Sequence, residues 1–223
     1  MSTQSPSTAP AVPQKNSLLS SRLGSFLAVV PLGVWVFIHL WNNLAAFQGE
    51  QAWQDAVTGY KHPFAQALTW VIVFLPLLLH SGWGIARLFR LRPNNVAYGT
   101  YDNLKYLLQR LSAVGLLAFL GAHVWLAFLQ PRLVEGHAEP FADIAGEMHH
   151  HMPTLVVYVL GTLAVSYHLA YGLQSFFMSW GVLSSERSVR RFEPVVIGLF
   201  LLFLAMSWGA IYALYQAGAA LAH

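Results

Sequence analysis

Four histidines lie within long apolar segments of the chain, one in each of four separate segments: His39, His80, His123 and His168. An imidazole that is buried without a hydrogen-bond partner costs roughly 1–3 kcal/mol. Four such rings would cost about as much as the whole stability of an ordinary domain. Imidazole is also a common ligand of iron. The sequence therefore predicts that these rings bind a ligand, and the depth of each ring along its segment indicates which kind of ligand.

The segments that carry the histidines are long enough to cross a membrane. Only 9% of the 223 residues are charged, whereas 56% are hydrophobic. Five stretches have about the 20 apolar residues that a transmembrane helix needs, and none contains Asp, Glu, Lys or Arg: Leu23–Phe47, Phe64–Ile85, Leu111–Leu129, Thr154–Trp180 and Val195–Tyr215. We expect an all-α polytopic membrane protein with five transmembrane helices in residues 19–223, after a disordered cytoplasmic tail in residues 1–18.

The distribution of charge predicts the orientation of the chain. Ten Lys and Arg residues fall at one end of the predicted bundle and two at the other. The positive-inside rule then places the N-terminus in the cytoplasm and the C-terminus outside a cell inner (cytoplasmic) membrane. The net charge of +3 is explained by this topology and by the attraction of basic residues to anionic lipid. We therefore expect no nucleic-acid partner. Because cysteine is absent, thiolate-held iron–sulfur clusters within this chain are excluded.

The four histidines are predicted to form two layers across the membrane. At 1.5 Å per helical residue, His39 and His123 lie about 15 and 12 Å from the outer ends of their helices. By the same measure, His80 and His168 lie about 25 and 22 Å from the outer ends. The layers are therefore roughly 10 Å apart. The first and third helices supply the outer pair, and the second and fourth helices supply the inner pair.

Two layers of paired imidazoles are typical of two stacked haems, each held by rings from two helices. Bis-His ligation fills both axial positions, so it favours electron transfer over oxygen activation. Gly84 and Gly172 follow the inner histidines at i+4, on the same helix face. We interpret these glycines as leaving room for a porphyrin. The alternative interpretation is close packing of helices, for which membrane proteins also use glycine.

Other residues have two interpretations that the sequence leaves open. Arg22 and Arg110 are candidates for pairing with haem propionates, or else they are lipid-facing anchors. Pro31 and Pro76 lie inside the first two helices, either as ordinary transmembrane prolines or to open space for a cofactor. The outer connection from Gln130 to Pro153 is predicted to be a loop, and its histidine triplet at 149–151 is interpreted as solvated rather than as a metal-binding tract.

The chain resembles the five-helix, di-haem cytochrome b subunit of succinate:quinone oxidoreductases and of the related quinol:fumarate reductases. The similarity runs through the first four helices, from Arg22 to Val182, and includes both prolines. The fifth helix matches in position and hydrophobicity only. Each motif is modest alone, but their order and spacing together are specific: VVPLGVWVFIHL, FLPLLLHSGWG, LLQRLSAVGLLAFLGAHVW and YHLAYGLQSF.

The resemblance implies that His39 and His123 hold the outer (distal) haem b, and His80 and His168 the inner (proximal) haem b. It implies two protein partners on the cytoplasmic face, a flavoprotein that oxidises succinate and an iron–sulfur subunit. It also implies a quinone, usually menaquinone in this family, that reacts near the outer haem. The chain would be the non-catalytic electron-transfer subunit of such a complex, and it would serve succinate oxidation or fumarate reduction equally.

Two positions bear on protons in this interpretation. His62, near the outer start of the second helix, is a candidate proton acceptor for the quinone. Some fumarate reductases of the family have a glutamate two residues before the fourth-helix ligand, and here that position is Ser166. Proton transfer by that route is therefore not expected.

Two other functions are also compatible with intramembrane histidines. The first is the cytochrome b subunit of another quinone-linked dehydrogenase, such as a formate dehydrogenase or a hydrogenase, whose ligands should be distributed differently among the helices. The second is a transporter that uses intramembrane histidines as proton relays. A transporter of that kind predicts a protein without a visible chromophore.

Overall fold

The computed structural model of the protein describes residues 22–59, 63–89 and 101–221. Within these ranges the chain forms helices and loops and no β-strand. Five helices are long and apolar enough to cross a membrane: α1 (Arg22–Gln48), α3 (Ala67–Leu88), α4 (Tyr101–Glu135), α6 (Met152–Ser179) and α7 (Glu186–Ala220). Two short helical segments lie between them, α2 (Glu50–Trp53, continued by Gln54–Thr58) and α5 (Phe141–His150). The predicted all-α, five-helix membrane architecture is confirmed, whereas the predicted tail in residues 1–18 lies outside the described residues.

The observed helices extend beyond the apolar stretches at their charged ends. Helix α4 begins at Tyr101 rather than Leu111, and α7 begins at Glu186 rather than Val195. Hydropathy detects only the part of a helix that lies in lipid, whereas the helix itself continues for as long as its backbone is paired. Ser185 fixes the start of α7, because its hydroxyl accepts a hydrogen bond from the Ser188 backbone N–H in a reciprocal capping box.

Both predicted helix-distorting prolines are associated with a wide turn. Pro31 lies inside a π-helical turn of α1, Ala28–Gly33. In α3 the π-helical turn Trp70–Phe74 is followed by the α-helical segment Leu75–Leu88, which has Pro76 near its start. A proline has no N–H to donate to the preceding turn, and a π-turn accommodates the interruption without breaking the helix. The helices therefore continue through both prolines.

A cluster of buried hydrophobic side chains lies at the end of the bundle that carries α2 and α5. We call this the outer end, after the predicted orientation. The connection from Gln130 to Pro153 was expected to be a loop, and this expectation was wrong because it contains α5. The buried residues of α5 recur at i, i+3, i+4 and i+7, which is the pattern of a helix with one apolar face: Phe141, Ile144, Ala145 and Met148.

Helix α6 lies between α4 and α7 and is held to both. A Cβ atom at Gly161 would overlap the Phe119 ring, so α4 and α6 approach closely only because this position is a glycine. At the opposite, inner end, the Glu193 carboxylate on α7 accepts hydrogen bonds from Lys105 Nζ (3.1 Å) and Gln174 Nε2 (3.2 Å). These contacts join α4, α6 and α7 on the side of the inner histidine layer.

Candidate haem-ligand site

The structure brings the four intramembrane histidines together in two pairs. The rings of His39 on α1 and His123 on α4 have centroids 5.9 Å apart and are inclined at 66°. The rings of His80 on α3 and His168 on α6 have centroids 6.4 Å apart and are inclined at 64°. Each pair therefore draws its rings from the two helices that the sequence assigned to one layer.

The separation within each pair is compatible with one metal ion between two imidazoles. Two metal–nitrogen bonds of about 2 Å each, with about 1 Å from each nitrogen to its ring centre, place the centroids about 6 Å apart. Both observed distances are close to this value. No group of three or more His, Asp or Glu residues that could hold a metal ion occurs in the described part of the chain. Two imidazoles at this separation fit a cofactor that supplies the remaining ligands itself, as a porphyrin does.

Aromatic side chains orient the rings of the outer pair. His39 stacks on Trp35 at 4.7 Å and 10°, and His123 stacks on Phe119 at 5.3 Å and 19°. Each aromatic residue precedes its histidine by four positions, so the two side chains share one helix face. The stacking restricts rotation of both imidazoles and fixes the direction in which their nitrogens point.

Polar neighbours of the outer pair come from two different elements. The Nδ1 atom of His123 lies 3.1 Å from the hydroxyl oxygen of Tyr158 on α6. The Nε2 atom of His39 lies 3.4 Å from Asn43 Nδ2, which also donates to the His39 carbonyl at 2.8 Å. Trp53 Nε1 donates to the Asn43 side-chain oxygen at 3.2 Å. The outer helix α2 is thus connected to the His39 ring through a single amide.

A backbone carbonyl faces one ring of the inner pair. The Nδ1 atom of His80 lies 3.0 Å from the carbonyl oxygen of Gly24 on α1. Helices α1 and α3 are close there, since a Cβ atom at Gly24 would come within 2.8 Å of the Trp83 ring. Glycine at position 24 therefore permits the contact between the carbonyl and the ring.

A side-chain amide faces the other ring of the inner pair. Gln109 Nε2, on α4, lies 3.4 Å from His168 Nδ1 and donates to the His168 carbonyl at 3.2 Å. The two glycines that were predicted to leave room for a porphyrin differ in the space around them. A Cβ atom at Gly84 would meet no atom within 4 Å, whereas one at Gly172 would lie 3.6 Å from Gln109 Nε2.

The polar contacts leave the same nitrogen available in three of the four rings. His80, His123 and His168 each have their neighbour at Nδ1, and none has a hydrogen-bond partner at Nε2 within the described ranges. A metal-bound histidine usually coordinates through one nitrogen while the other carries a proton and is held by a neighbour. Only His39, whose Nε2 faces Asn43, would need its ring rotated to present this nitrogen.

The two arginines proposed as propionate partners have different surroundings. The Arg22 side chain is exposed, and its guanidinium lies 5.8 Å from the centre of the Trp180 ring. The Arg110 guanidinium lies 4.7 Å from the Tyr106 ring centre on the same helix. Its Nε atom is buried and has no hydrogen-bond partner in the described structure, so Arg110 fits an absent anionic partner better than Arg22 does.

The other candidate residues lie away from the two pairs or outside the description. His62 falls outside the described residues. The Ser166 side chain is buried and donates to the Thr162 carbonyl at 2.8 Å, within its own helix. The triplet at 149–151 ends α5 rather than lying in a loop. His149 Nδ1 lies 3.0 Å from the Tyr215 carbonyl oxygen, and His151 lies beside Thr154 and Glu147.

Sequence reasoning missed the residues that surround the four rings. The contacts of Trp35 and Phe119 could have been predicted, because an aromatic residue four positions before a histidine shares its helix face. Gln109 and Tyr158 were not, since nothing in their local sequence shows that each contacts a histidine on another helix. Asn43 follows His39 by four positions, but its link to Trp53 depends on the fold of α2.

The fold and the site together define a class of protein: an all-α membrane protein whose first four transmembrane helices present one histidine each, in two pairs. The family model of the succinate dehydrogenase/fumarate reductase transmembrane subunit matches residues 90–207. The succinate dehydrogenase cytochrome b558 subunit of Bacillus subtilis (strain 168) is 30% identical over 195 residues, which is 87% of this chain and 94% of that relative. No solved structure matches the chain.

The chain therefore belongs to the family of succinate dehydrogenase/fumarate reductase transmembrane subunits. The resemblance inferred from the sequence motifs is confirmed. The chain is a multi-pass membrane-anchor subunit of cytochrome b type and part of an oxidoreductase complex. The two alternative functions find no support in these matches.

Proposed function

We propose that this chain carries electrons between a cytoplasmic iron–sulfur subunit and a membrane quinone by holding two haems b, each between two histidines. The observation that carries the proposal is the pairing of the four rings, at 5.9 and 6.4 Å between centroids. His39 and His123 would hold the outer haem, and His80 and His168 the inner haem. When bound, the haems supply one-electron redox chemistry within the membrane.

The chain's own residues position the ligands and set their properties. Trp35 and Phe119 hold the planes of the outer rings, and Tyr158 and the Gly24 carbonyl hold one Nδ1 atom each. Such contacts to the second nitrogen fix the tautomer and raise the basicity of the coordinating one. The apolar helices around the pairs exclude water and so influence the redox potential through burial.

Arg110 is the favoured partner for a haem propionate in this proposal. Its unpartnered, buried Nε supports an anion close to the guanidinium, because a buried charged donor without an acceptor is costly. Arg22 remains a second candidate, at the N-terminal end of α1. Both arginines lie on the side that the charge distribution assigns to the cytoplasm.

The proposed partners follow from family membership and from the charge of the inner side. A flavoprotein and an iron–sulfur subunit would dock at the cytoplasmic face, so the chemistry on succinate would belong to the partners and not to this chain. A quinone, proposed to be menaquinone, would react near the outer pair, with His62 as a candidate proton acceptor. The N-terminus would be cytoplasmic and the C-terminus outside.

This orientation has an energetic consequence for electron transfer. One unit charge that crosses the membrane is worth about 2.3 kcal/mol per 100 mV of membrane potential. Electrons that pass from the negative inside to the positive outside would use that potential. The membrane potential would then assist the reduction of a low-potential quinone by succinate.

The proposal is tested on the complex isolated from membranes with this chain tagged. We expect a flavin-containing partner to co-purify, and we expect added succinate to reduce haem bands in the visible spectrum. A molybdenum- or nickel-containing partner would contradict the proposal in favour of another quinone-linked dehydrogenase. A colourless preparation from cells well supplied with haem would contradict it in favour of a transporter.

A further inference from the structure

Two consecutive residues of α4 have buried polar atoms without a hydrogen-bond partner in the described structure, Gln109 Oε1 and Arg110 Nε. A buried acceptor left unpaired is unfavourable, and such groups are rare enough to need an explanation. The proposed function already explains the unpaired Arg110 Nε atom, as a partner of a haem propionate. It does not explain the unpaired Gln109 Oε1 atom, although the Gln109 amide lies against a proposed ligand of the inner haem.

The Gln109 amide contacts both the ring and the backbone of His168. Its nitrogen donates to the His168 carbonyl at 3.2 Å and lies 3.4 Å from the ring Nδ1. Gly172, one turn after His168, leaves room for the amide, since a Cβ atom there would lie 3.6 Å from Gln109 Nε2. The amide is therefore held at the side of the ring that carries Nδ1.

The contact of Gln109 Nε2 with Nδ1 favours the tautomer that His168 has when no metal is bound. A donor at Nδ1 requires a lone pair there, so the neutral ring carries its proton on Nε2. Coordination by Nε2 requires the opposite tautomer, in which Nδ1 carries the proton and needs an acceptor. The unpaired oxygen of Gln109 is such an acceptor on the same amide group.

A half-turn of the amide about its Cγ–Cδ bond exchanges the positions of Oε1 and Nε2. The oxygen then lies beside Nδ1 and accepts a hydrogen bond from its N–H group, while the amide nitrogen takes the former place of Oε1. The His168 carbonyl loses the amide donor but retains its place in the hydrogen-bond ladder of α6. One side chain thus matches either tautomer of the ring.

We propose that Gln109 is the positioning residue for His168: its side-chain oxygen accepts a hydrogen bond from the Nδ1–H group of the coordinated ring and so lowers the redox potential of the inner haem. This inference rests on the proposed function, because it takes His168 as an axial ligand. An acceptor at Nδ1 increases the electron donation of the imidazole to the iron. Stronger donation favours the oxidised state of the metal, so the amide keeps the potential lower than the ring alone would.

Gln109→Met tests the inference, since methionine has a similar length and cannot accept this hydrogen bond. Gln109→Glu retains an oxygen acceptor, and Gln130→Met is a matched control near the outer end of the same helix. Each protein is purified as the whole complex, its haems are counted, and their midpoint potentials are measured by redox titration. Infrared difference spectra of the imidazole bands report the hydrogen bond at Nδ1 directly.

We expect Gln109→Met to raise the potential of the inner haem by a three- to tenfold change in its reduction equilibrium, or about 30–60 mV. The outer haem should be unchanged. Gln109→Glu should keep the potential at or below the wild-type value, and Gln109→Met should shift the imidazole bands toward those of a ring without an acceptor at Nδ1. Loss of the inner haem in Gln109→Met alone also supports the inference, because it shows that the ligand needs the acceptor.

Three results would overturn the inference. The first is an unchanged midpoint potential of the inner haem in Gln109→Met when both haems are present. The second is a shift of that potential in Gln130→Met as large as in Gln109→Met. The third is loss of the inner haem in Gln109→Glu as well as in Gln109→Met. A wild-type complex without haem is a different result. It contradicts the proposed function, so the two failures are distinguishable.

Discussion

The hydroxyl oxygen of Tyr158 lies 3.1 Å from Nδ1 of His123 and joins α6 to α4 at the level of the outer histidine pair. Tyr158 is only 8% exposed, and the edge of the Phe119 ring lies against its ring. The tyrosine is therefore held where its hydroxyl oxygen can accept a hydrogen bond from the Nδ1–H group of a coordinated His123. The outer pair has a side-chain acceptor, just as His80 has a carbonyl acceptor in the inner pair.

Replacement of Tyr158 by phenylalanine should remove this acceptor without a large change in packing. We expect the potential of the outer haem to rise while that of the inner haem stays constant, because ligand basicity falls at one pair only. The loss of one buried hydrogen bond should cost about 1 kcal/mol of stability. Redox titration and thermal unfolding measure the two effects. Tyr212→Phe, at an exposed position of α7, is the control, and equal potentials in both variants would refute the role of Tyr158.

The pairing of the rings predicts a pattern among histidine variants. His80→Ala and His168→Ala should each remove the same haem, and His39→Ala and His123→Ala should each remove the other, because both axial ligands hold one iron. The haem content per chain should fall from about two to about one in each case. Spectra of the purified variants should show two distinct residual species. His150→Ala, at an exposed site, should leave both haems in place.

If His80→Ala and His168→Ala left different residual spectra, the assignment of these two rings to one haem would be wrong. The double variant His80→Ala, His168→Ala separates this from a general folding defect. It should retain the outer haem with an unchanged spectrum.

The close approach of α4 and α6 predicts an effect of a single methyl group. Alanine at Gly161 would place its Cβ atom in overlap with the Phe119 ring, and Phe119 stacks on His123. We expect Gly161→Ala to destabilise the protein by about 1–3 kcal/mol through overpacking and to perturb the outer haem spectrum. Gly198→Ala, where a Cβ atom meets nothing within 4 Å, should be neutral or slightly stabilising. Equal stability of the two variants would contradict the described helix crossing.

Glu139, in the connection between α4 and α5, predicts a pH dependence of stability. Burial, with help from the negative charges of Asp143 and Glu135, raises the pKa of its carboxyl group to about 7. Because this pKa lies above the unfolded value, the neutral form contributes stability that is complete below about pH 4.5 and is lost as the pH rises through about 7.

Glu139→Gln should therefore unfold at a higher temperature than the wild type at pH 8 and at a similar temperature near pH 4.5. The gain at pH 8 should be about 2–3 kcal/mol, because each pKa unit corresponds to about 1.4 kcal/mol. Thermal unfolding in detergent across this range measures the difference. Asp55→Asn, at an exposed site on α2, is the control. A stability difference that is independent of pH would show that Glu139 does not titrate in this range.

The sequence predicted the features that depend on composition and helical rise. Five apolar stretches gave five helices, and the depth of each histidine gave the pairs that the fold brings within 6.4 Å. Helix α5 was missed although its apolar residues recur with helical spacing, because its short length and many polar residues suggested a loop. The full extent of α4 and α7 was missed because their charged ends are helical without being apolar.

The surroundings of the histidines could not be predicted, because each depends on contacts between helices distant in sequence. Gln109 and His168 are 59 positions apart, and His80 and Gly24 are 56 apart. Helix rise gives the depth of a residue but not the rotation of its helix toward a neighbour. The direction of a side-chain amide depends on that rotation, so the partners of each ring required the three-dimensional structure.

The most direct test of the central claim is a redox titration of the wild-type protein combined with a chemical determination of haem. The account predicts two haems b per chain that titrate as two separate one-electron centres, both low-spin because each iron has two imidazole ligands. A single haem per chain, or a high-spin centre with an open axial position, would contradict the claim that each histidine pair holds one haem.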